Sequence, residues 1–340
     1  MTASRTTLAR TRLGATGPEV SAFGLGAMGM SGMYGPADRV ESLATLHAAL
    51  DAGMTLIDTG DFYGAGHNEI LIGDALREVP RDAYQISVKF GALRDPAGGW
   101  GGYDLRPAAI RNALAQSLQK LRVDVIDIYR PSRLPAGTDV EEVIGTLADL
   151  VKAGYIRHIG LSEVGVDTIR RAAAVHAICD LQIEYSLVSR GIEDEILPVL
   201  RELGIGVTAY GVLSRGLISG HFAGTQAPGD FRAMSPRFQG ENAQANLALV
   251  EALRKVAEAR GITVAQAAIA WVAAQGKDIV PLVGARRRDR LDEALGAAEA
   301  RLTAADLAAI EQAVPKGAAA GERYPAFAMA DLDSERKAGA

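Results

Sequence analysis

The stretch LIDTGDFYG, residues 56–64, begins like a buried β-strand and runs straight into charged and polar residues. Leu56 and Ile57 are apolar, Asp58 follows them at once, and Tyr63 comes five residues after Asp58. A carboxylate at the end of an apolar strand is costly to bury without a partner, so this position predicts a functional edge. The pattern of the remaining sequence indicates which fold would place a functional edge at the end of this strand.

Eight short apolar runs recur along the chain, and a helical pattern follows each of them. The runs are AFGLGA (22–27), MTLID (54–58), YQISVKF (84–90), VDVIDIY (123–129), IRHIGLS (156–162), DLQIEYS (180–186), IGVTAYG (205–211) and IVPLVG (279–284). Runs this uniformly apolar are typical of strands buried on both faces, as in a parallel sheet covered by helices. Eight such units without a linker favour an α/β fold of the closed (β/α)8 TIM-barrel type over an open doubly wound sheet.

Both ends of the chain predict additions to this barrel. Residues 11–22 contain a Gly-Pro turn between short runs and predict an N-terminal β-hairpin at the barrel's bottom. Residues 303–314 predict an extra C-terminal helix, and the polar tail of about 316–340 is expected to be loosely ordered. We therefore expect a single domain over 1–340, with its core at about 12–315.

The composition excludes several classes of protein. A net charge of −5 with both signs interspersed gives no reason to expect nucleic acid or a membrane surface as partner. Residues 1–14 lack the apolar core of a secretory signal, and no stretch approaches 18 uninterrupted apolar residues. Cys179 is the single cysteine, which excludes an internal disulfide and fits a reducing compartment. We therefore expect a cytoplasmic protein.

Two glycine-containing segments resemble functional motifs only weakly. GLGAMG (24–29) matches G-x-G-x-x-G, but that motif needs a helix to open within the glycines, and here a helix is expected about ten residues later. This segment therefore predicts a loop that crosses the top of the barrel. GLSEVG (160–165) lacks the second glycine of a nucleophile elbow because Val164 stands in its place.

A lysine completes the group of polar residues that begins at Asp58. Lys89 lies near the end of the third apolar run, so we expect it to pair with Asp58 at the C-terminal rim of the barrel. A nearby ammonium stabilises a phenolate, so Lys89 is expected to lower the pKa of Tyr63 and make it a usable proton donor. Two other interpretations remain open: an ion pair that only fills the barrel, and a Schiff base on Lys89 in an aldolase-like barrel.

Several segments resemble the aldo-keto reductase superfamily at matching strands. They are IDTGDFYG (57–64) for its Asp-Thr-x-x-x-Tyr-Gly segment, SVKFG (87–91) for its lysine strand, and DLQIEYS (180–186), TAYGVLSRG (208–216) and PLVGARRRDRLDEAL (281–295) for its cofactor segments. The resemblance extends from about Arg12 to Pro315 and is nearest to the bacterial branch with pyridoxal-reductase-like and perakine-reductase-like members. It implies the reversible reduction of a small-molecule aldehyde or ketone by NADPH, without a metal ion.

The resemblance implies three catalytic residues and shows one departure. Tyr63 would be the general acid, assisted by Lys89 and Asp58. The family usually has a histidine five residues after the aspartate of the fourth strand, where it orients the substrate carbonyl; counting from Asp127 gives Ser132. A serine hydroxyl donates one hydrogen bond but carries no charge. Loss of one donor to a developing oxyanion typically costs about 10²- to 10³-fold in rate.

Other residues are candidates to replace the missing histidine. His67 and His221 are expected in loops on the active-site side, and strict alternation would make Arg130 face the same way as Ser132. The departure also supports an alternative function: an NADPH-binding regulatory or sensor protein with weak residual reductase activity.

The resemblance implies a cofactor site on the same rim. Ser162 and Gln182 would bind the nicotinamide carboxamide, and Tyr210 would stack on the ring. Arg286 and Arg290 lie four residues apart, so they are expected to share a face and bind a 2′-phosphate, which favours NADPH over NADH. The full set of implied cofactor-binding residues is Gly26, Met28, Ser162, Gln182, Tyr210, Gly211, Val212, Leu213, Ser214, Arg215, Gly216, Gly284, Arg286, Arg290 and Glu293.

Two smaller departures fall within these cofactor segments. Glu163 and Ala294 stand where the family commonly has asparagine, in segments that bind the carboxamide and the adenine. The substrate pocket is less defined: loops carrying Met28, Tyr34, Trp100, Tyr103 and Phe222 are candidates to wall it, and the glycine-rich residues 96–104 are a candidate lid.

Overall fold

The computed structural model describes residues 8–222, 224 and 230–336. In chain order its strands are β1 (Arg10–Arg12), β2 (Glu19–Ser21), β3 (Gly24–Gly26), β4 (Leu56–Gly60), β5 (Gln85–Phe90), β6 (Ala92–Arg94), β7 (Trp100–Tyr103), β8 (Ile126–Pro131), β9 (Ile156–Ser162), β10 (Ile178–Glu184), β11 (Gly206–Tyr210) and β12 (Ile279–Gly284). Eight of them, β3–β5 and β8–β12, form a closed parallel barrel in which β12 pairs with β3. The (β/α)8 TIM-barrel prediction is confirmed, and each of the eight apolar runs overlaps one barrel strand.

Helices connect the barrel strands and cover the outside. They are α1 (Arg39–Asp51), α2 (His67–Ala75), α3 (Pro107–Leu121), α4 (Val140–Lys152), α5 (Val166–Val175), α6 (Ile196–Leu203), α7 (Gly240–Ala259), α8 (Val264–Ala274), α9 (Arg288–Leu295), α10 (Ala304–Ala313) and α11 (Ala326–Met329). Since Gly24–Gly26 forms β3 and α1 begins only at Arg39, the prediction that GLGAMG does not open a dinucleotide-binding helix is confirmed. Within the described ranges, no helix is both long and apolar enough to cross a membrane.

The predicted N-terminal hairpin seals the bottom of the barrel. Its strands β1 and β2 pair antiparallel, and the completely buried Leu13 and Val20 pack with barrel residues such as Leu56 and Val280. At Gly14 (φ 67°) the chain approaches the strand ends so closely that a Cβ would lie 2.3 Å from the backbone oxygen of Cys179. Only glycine fits this position, because both the close contact and the left-handed conformation exclude a side chain.

Two local predictions are wrong. The glycine-rich segment 96–104 is not a plain loop, because Trp100–Tyr103 forms β7 and pairs antiparallel with β6. The tail is not loosely ordered over residues 316–336, since Leu332 is 1% exposed there.

Candidate active site

Asp58 lies in β4, and its carboxylate accepts hydrogen bonds from side chains of three other strands. Lys89 Nζ donates to Oδ1, while Ser87 Oγ and Gln182 Nε2 donate to Oδ2 over 2.8 and 2.7 Å. Arg130 Nη1 lies 3.3 Å from the same Oδ2. The Lys89 and Asp58 side chains are only 6% and 5% exposed. The structure therefore brings Asp58 and Lys89 together as the sequence predicts, and it adds a second cation.

Arg130 lies inside the barrel, where its guanidinium bridges Asp58 and Asp180. Its guanidinium is fully buried and donates to both oxygens of Asp180 over 2.7 and 2.6 Å. A buried guanidinium needs carboxylate partners because desolvation of an unpaired charge is costly. Gly160 makes room for this pair, since a Cβ there would lie 2.5 Å from the Asp180 carboxylate. The signal in the sequence is that each of four largely apolar strands contains ionisable residues.

Tyr63 follows β4 and lies against Lys89, but not in the way the sequence predicts. The Lys89 ammonium lies 5.2 Å from the centroid of the Tyr63 ring, over its face. Burial raises the pKa of Tyr63 well above its ordinary value, and the negative charge of Asp58 adds to the rise. The expected lowering of this pKa is therefore wrong for this structure. Burial also lowers the pKa of Lys89 to about 8, although Asp58 acts in the opposite direction.

Ser132 directly follows β8 and is buried at the rim. Its backbone N–H continues the pairing to the carbonyl of Phe90, and its hydroxyl has no hydrogen-bond partner among the described residues. Neither candidate histidine takes this place. His67 is the first residue of α2 and contacts Ser31 Oγ at 3.0 Å, while His221 contacts Glu293 at 2.7 Å. Ser132 thus places an uncharged hydroxyl at the rim that has no partner among the described residues.

Ser162, Gln182 and Tyr210 lie side by side at the C-terminal ends of β9, β10 and β11. Ser162 pairs in register with Gln182, and Tyr210 with Glu184. The Gln182 amide nitrogen donates to Asp58, and the residue is 1% exposed. The Tyr210 hydroxyl donates to Glu163 Oε1 over 2.6 Å. The three residues that were predicted to bind the carboxamide and the ring therefore lie on adjacent strands of the rim, and their binding of a cofactor stays a prediction.

The segment Gly211–Gly216 turns sharply above Tyr210. Ser214 and Arg215 adopt left-handed backbone conformations (φ 46° and 56°), and Gly211 and Gly216 do the same. Such conformations are costly for residues other than glycine and cluster at ligand sites. Val212 is buried, Leu213 packs against the core, and the buried Ser214 hydroxyl has no partner among the described residues.

The residues around 323–335, which sequence reasoning treated as a polar tail, bind directly to this rim. The Arg323 guanidinium donates to both carboxylate oxygens of Glu163, at 3.0 and 2.5 Å. Tyr324 contacts the Tyr210 hydroxyl at 2.9 Å, and its ring lies 4.2 Å from the Arg215 guanidinium. The sequence signal was Glu163 itself, an acid directly after the apolar strand β9.

Glu163 has the environment of a structural anchor. Its side chain is fully buried, and its backbone is left-handed (φ 53°). Although burial raises the pKa of Glu163, the charges of Arg323 and Arg133 and the hydrogen bonds from Arg323 and Tyr210 together hold that pKa below its ordinary value. Besides Arg323, Ser334 Oγ and the backbone N–H of Glu184 donate to this carboxylate.

On the far side of the rim, two glycines leave the backbone without side chains beside a cavity that is lined by several arginines. Gly26 and Gly284 face each other in the β3–β12 pairing, and a Cβ on Gly284 would have open space around it. An open cavity of about 880 Å³ lies next to them, lined by residues that include Pro36–Asp38, Glu41 and Arg286–Asp289. Met28 opens the short 3₁₀ turn that follows β3.

Arg286 and Arg290 do not share this cavity, so the prediction of a common face is wrong. Arg286 precedes α9, and its Nη1 donates to the backbone oxygens of Tyr34, Gly35 and Pro36 at 3.0–3.2 Å. Arg290 contacts His221 at 2.6 Å and Glu293 at 3.1 Å instead. The spacing argument failed because α9 begins at residue 288, so that Arg286 does not lie on the helix.

Aromatic residues of the β6–β7 hairpin pack beside Tyr63. The Phe62 ring contacts both Tyr63 and Trp100 edge-on, with centroids 4.7 and 5.8 Å apart, and Trp100 contacts Tyr103 in the same way. Phe222 instead packs against Phe238. The hairpin therefore walls the site next to the candidate acid.

A buried lysine–aspartate pair, an adjacent tyrosine and a pair of facing glycines lie at one end of this TIM barrel. The aldo/keto reductase family model matches residues 22–315. The chain belongs to the aldo/keto reductase family. Its members reduce carbonyl compounds with a nicotinamide cofactor, and within the described residues no cluster of His, Cys, Asp or Glu is arranged to hold a metal ion.

Individual aldo/keto reductases are similar over most of their length. A probable aldo-keto reductase 1 from Glycine max is 40% identical over 317 residues, which cover 92% of this chain and 91% of that protein. The solved glycerol dehydrogenase from Gluconobacter oxydans is 31% identical with a TM-score of 0.81, over 89% of this chain and 94% of its own. A thermostable aldo-keto reductase solved with the inhibitor epalrestat is 25% identical with a TM-score of 0.71, over 90% and 100% of the two chains.

Proposed function

We propose that the protein is an NADPH-dependent reductase of small aldehydes or ketones, in which Tyr63 gives the proton to the carbonyl oxygen. The observation that carries this proposal is the convergence of Asp58, Lys89 and Tyr63 at one end of the barrel, with the Lys89 ammonium 5.2 Å from the centre of the Tyr63 ring. A structural ion pair would not need a phenol beside it.

The described residues fit a nicotinamide dinucleotide. The Gly26–Gly284 surface leaves room for a flat group, and the unpartnered hydroxyl of Ser214 lies in a loop whose left-handed backbone suits close approach of phosphate. Arg286 lines the adjoining cavity, and its guanidinium would favour the extra phosphate of NADPH. When bound, NADPH supplies a hydride to the carbonyl carbon.

In this proposal the chain's own residues handle the proton. The raised pKa keeps the Tyr63 hydroxyl protonated at neutral pH, so it is ready to donate to the oxygen as negative charge develops there. The Lys89 ammonium then stabilises the phenolate that remains, and Asp58 holds Lys89 in place through their hydrogen bond. The free hydroxyl of Ser132 adds a donor to the carbonyl oxygen.

NADPH oxidation with a panel of aldehydes and ketones tests the proposal. The panel includes glyceraldehyde, because the relative from Gluconobacter oxydans is a glycerol dehydrogenase. Tyr63→Phe is expected to lower kcat by about 10²- to 10⁴-fold, the usual contribution of a general acid, while the Kd of NADPH stays within a few-fold of wild type. Full activity in Tyr63→Phe would contradict the assigned acid.

Ser132→His measures the consequence of the missing histidine. If the serine costs rate, the variant gains up to about 10²-fold in kcat, the value of one oxyanion donor. If the serine instead selects larger substrates, Ser132→His reduces fewer of the tested carbonyl compounds and shows no general gain in kcat.

The alternative, a regulatory or sensor protein that binds NADPH, is favoured by two observations. Tyr63 is only 6% exposed, and Tyr324 is hydrogen-bonded to the Tyr210 hydroxyl. Tight NADPH binding without turnover of any carbonyl in wild type or Ser132→His would favour this function.

A further inference from the structure

Arg133 is a half-buried cation at the rim that the proposed mechanism does not use. Its Nη1 donates to the backbone oxygen of Ser132 over 2.6 Å and lies 3.4 Å from Ser162 Oγ. Since Ser132 follows β8 and Ser162 ends β9, the guanidinium lies across the ends of two neighbouring strands, beyond the buried ion pairs.

Arg133 has no carboxylate within 4 Å in the described part of the chain. The other arginines buried near the rim each have one: Arg130 with Asp58 and Asp180, Arg215 and Arg237 with Glu184, and Arg323 with Glu163. Holding a cation in a partly desolvated place without a counterion costs free energy, which a ligand anion would recover.

The unused donors of Arg133 lie on one edge of its guanidinium. Only Nη1 is hydrogen-bonded to described residues, so the Nε and Nη2 N–H groups remain available. This pair of parallel donors matches the spacing of two oxygens on a carboxylate or phosphate, and it exceeds what a single carbonyl oxygen can accept.

The positive charge of Arg133 lies close enough to Tyr63 and Tyr103 to act on the pKa of both. Burial dominates the raised pKa values of Tyr63 and Tyr103, and in both cases the charge of Arg133 acts in the opposite direction. The phosphate side of the proposed cofactor site lies elsewhere, at the loop after β11 and at Arg286.

We propose that Arg133 binds an anionic group of the substrate, so that the enzyme prefers carbonyl compounds that carry a carboxylate or a phosphate. This substrate class rests on the proposed function, because it assumes a carbonyl bound beside Tyr63. Arg133 is then a specificity-determining residue, and its free guanidinium edge is the anion site.

The test compares neutral and anionic substrates of similar size. Butanal is paired with succinic semialdehyde for the carboxylate, and glyceraldehyde with glyceraldehyde 3-phosphate for the phosphate. For one of the two pairs, wild type is expected to reduce the anionic substrate with a kcat/KM about 10- to 100-fold higher than that of its neutral counterpart. This is the range expected of a charge-assisted hydrogen bond. Arg133→Met should reduce that ratio to near one, mainly through KM, and Arg133→Lys should restore part of it. Arg106→Met, at an 82% exposed side chain, is the matched control and should leave the ratio unchanged.

Several outcomes would overturn the proposal. If wild type reduces the neutral aldehydes but shows no preference for anionic substrates, or if Arg133→Met leaves the preference intact, the proposed reductase function is supported and the proposed anion site is rejected. If no carbonyl is reduced, the proposed function itself fails. Calorimetric titration with succinate then still decides the anion site: weaker binding to Arg133→Met than to wild type supports it, and equal or absent binding overturns it.

Discussion

Replacement of Arg323 by methionine should destabilise the protein mainly through the buried carboxylate of Glu163, which is the nearest of the three carboxylates that this arginine contacts. The substitution keeps an apolar chain of similar length but removes the cation that contacts both oxygens of Glu163, whose side chain is 0% exposed. Removing one partner of a buried ion pair typically costs about 3–5 kcal/mol. We expect the lower end, about 3 kcal/mol, because Tyr210, Ser334 and a backbone N–H continue to donate to Glu163.

Thermal unfolding measures this loss. An unfolding entropy of about 2.1 cal/mol/K per residue gives roughly 0.7 kcal/mol/K for 340 residues, so a loss of about 3 kcal/mol lowers Tm by about 4 °C. The double variant Glu163→Gln/Arg323→Met removes both charges and should recover most of the shift. Arg170→Met, which breaks an exposed pair with Glu202, is the control and should change Tm by less than about 1 °C.

The pH dependence supplies a second check on the same pair. The pKa of Glu163 is held below its ordinary value of 4.5, so the stabilisation is complete above that pH and is lost as the pH falls further. The difference between wild type and Arg323→Met should therefore shrink in acid. A Tm of Arg323→Met equal to that of wild type at pH 7, or a loss that the double variant does not recover, would refute the reasoning.

Two further predictions concern the proposed reaction. Since burial lowers the pKa of Lys89 to about 8, kcat for carbonyl reduction should fall about tenfold per pH unit above pH 8 as the ammonium is lost, and a flat profile from pH 6 to 10 would contradict this. Arg286→Ala should raise the Kd of NADPH at least about tenfold and leave the Kd of NADH nearly unchanged. Arg290→Ala should leave both Kd values nearly unchanged, because the Arg290 guanidinium contacts His221 and Glu293. Fluorescence titration with both cofactors distinguishes the two arginines.

The barrel could be predicted from the sequence because its strands are local features. Each strand is a short apolar run with turn residues at its ends, and eight of them without a linker leave few topologies. The positions of Asp58 and Lys89 followed from the same logic, since both lie towards the C-terminal ends of neighbouring strands.

The remainder depends on contacts between distant parts of the chain. Nothing near Arg323 in the sequence indicates that it meets Glu163, 160 residues earlier. The pKa of Tyr63 depends on its burial, which strand spacing does not reveal, so the expected direction was wrong. Arg133 was overlooked because it adjoins the position where a histidine was sought, although its lack of a carboxylate partner appears only in three dimensions.

The ionisable side chains inside the barrel have a consequence for engineering. Lys89 and Arg130 balance Asp58 and Asp180, two positive charges against two negative ones, all nearly inaccessible to water. A library that varies one of these positions alone leaves an odd charge in the interior, so most of its members should fail to accumulate as folded protein. Variants with new substrate ranges should therefore come from the loops around this interior, and changes within the set of four should succeed only as neutralising pairs.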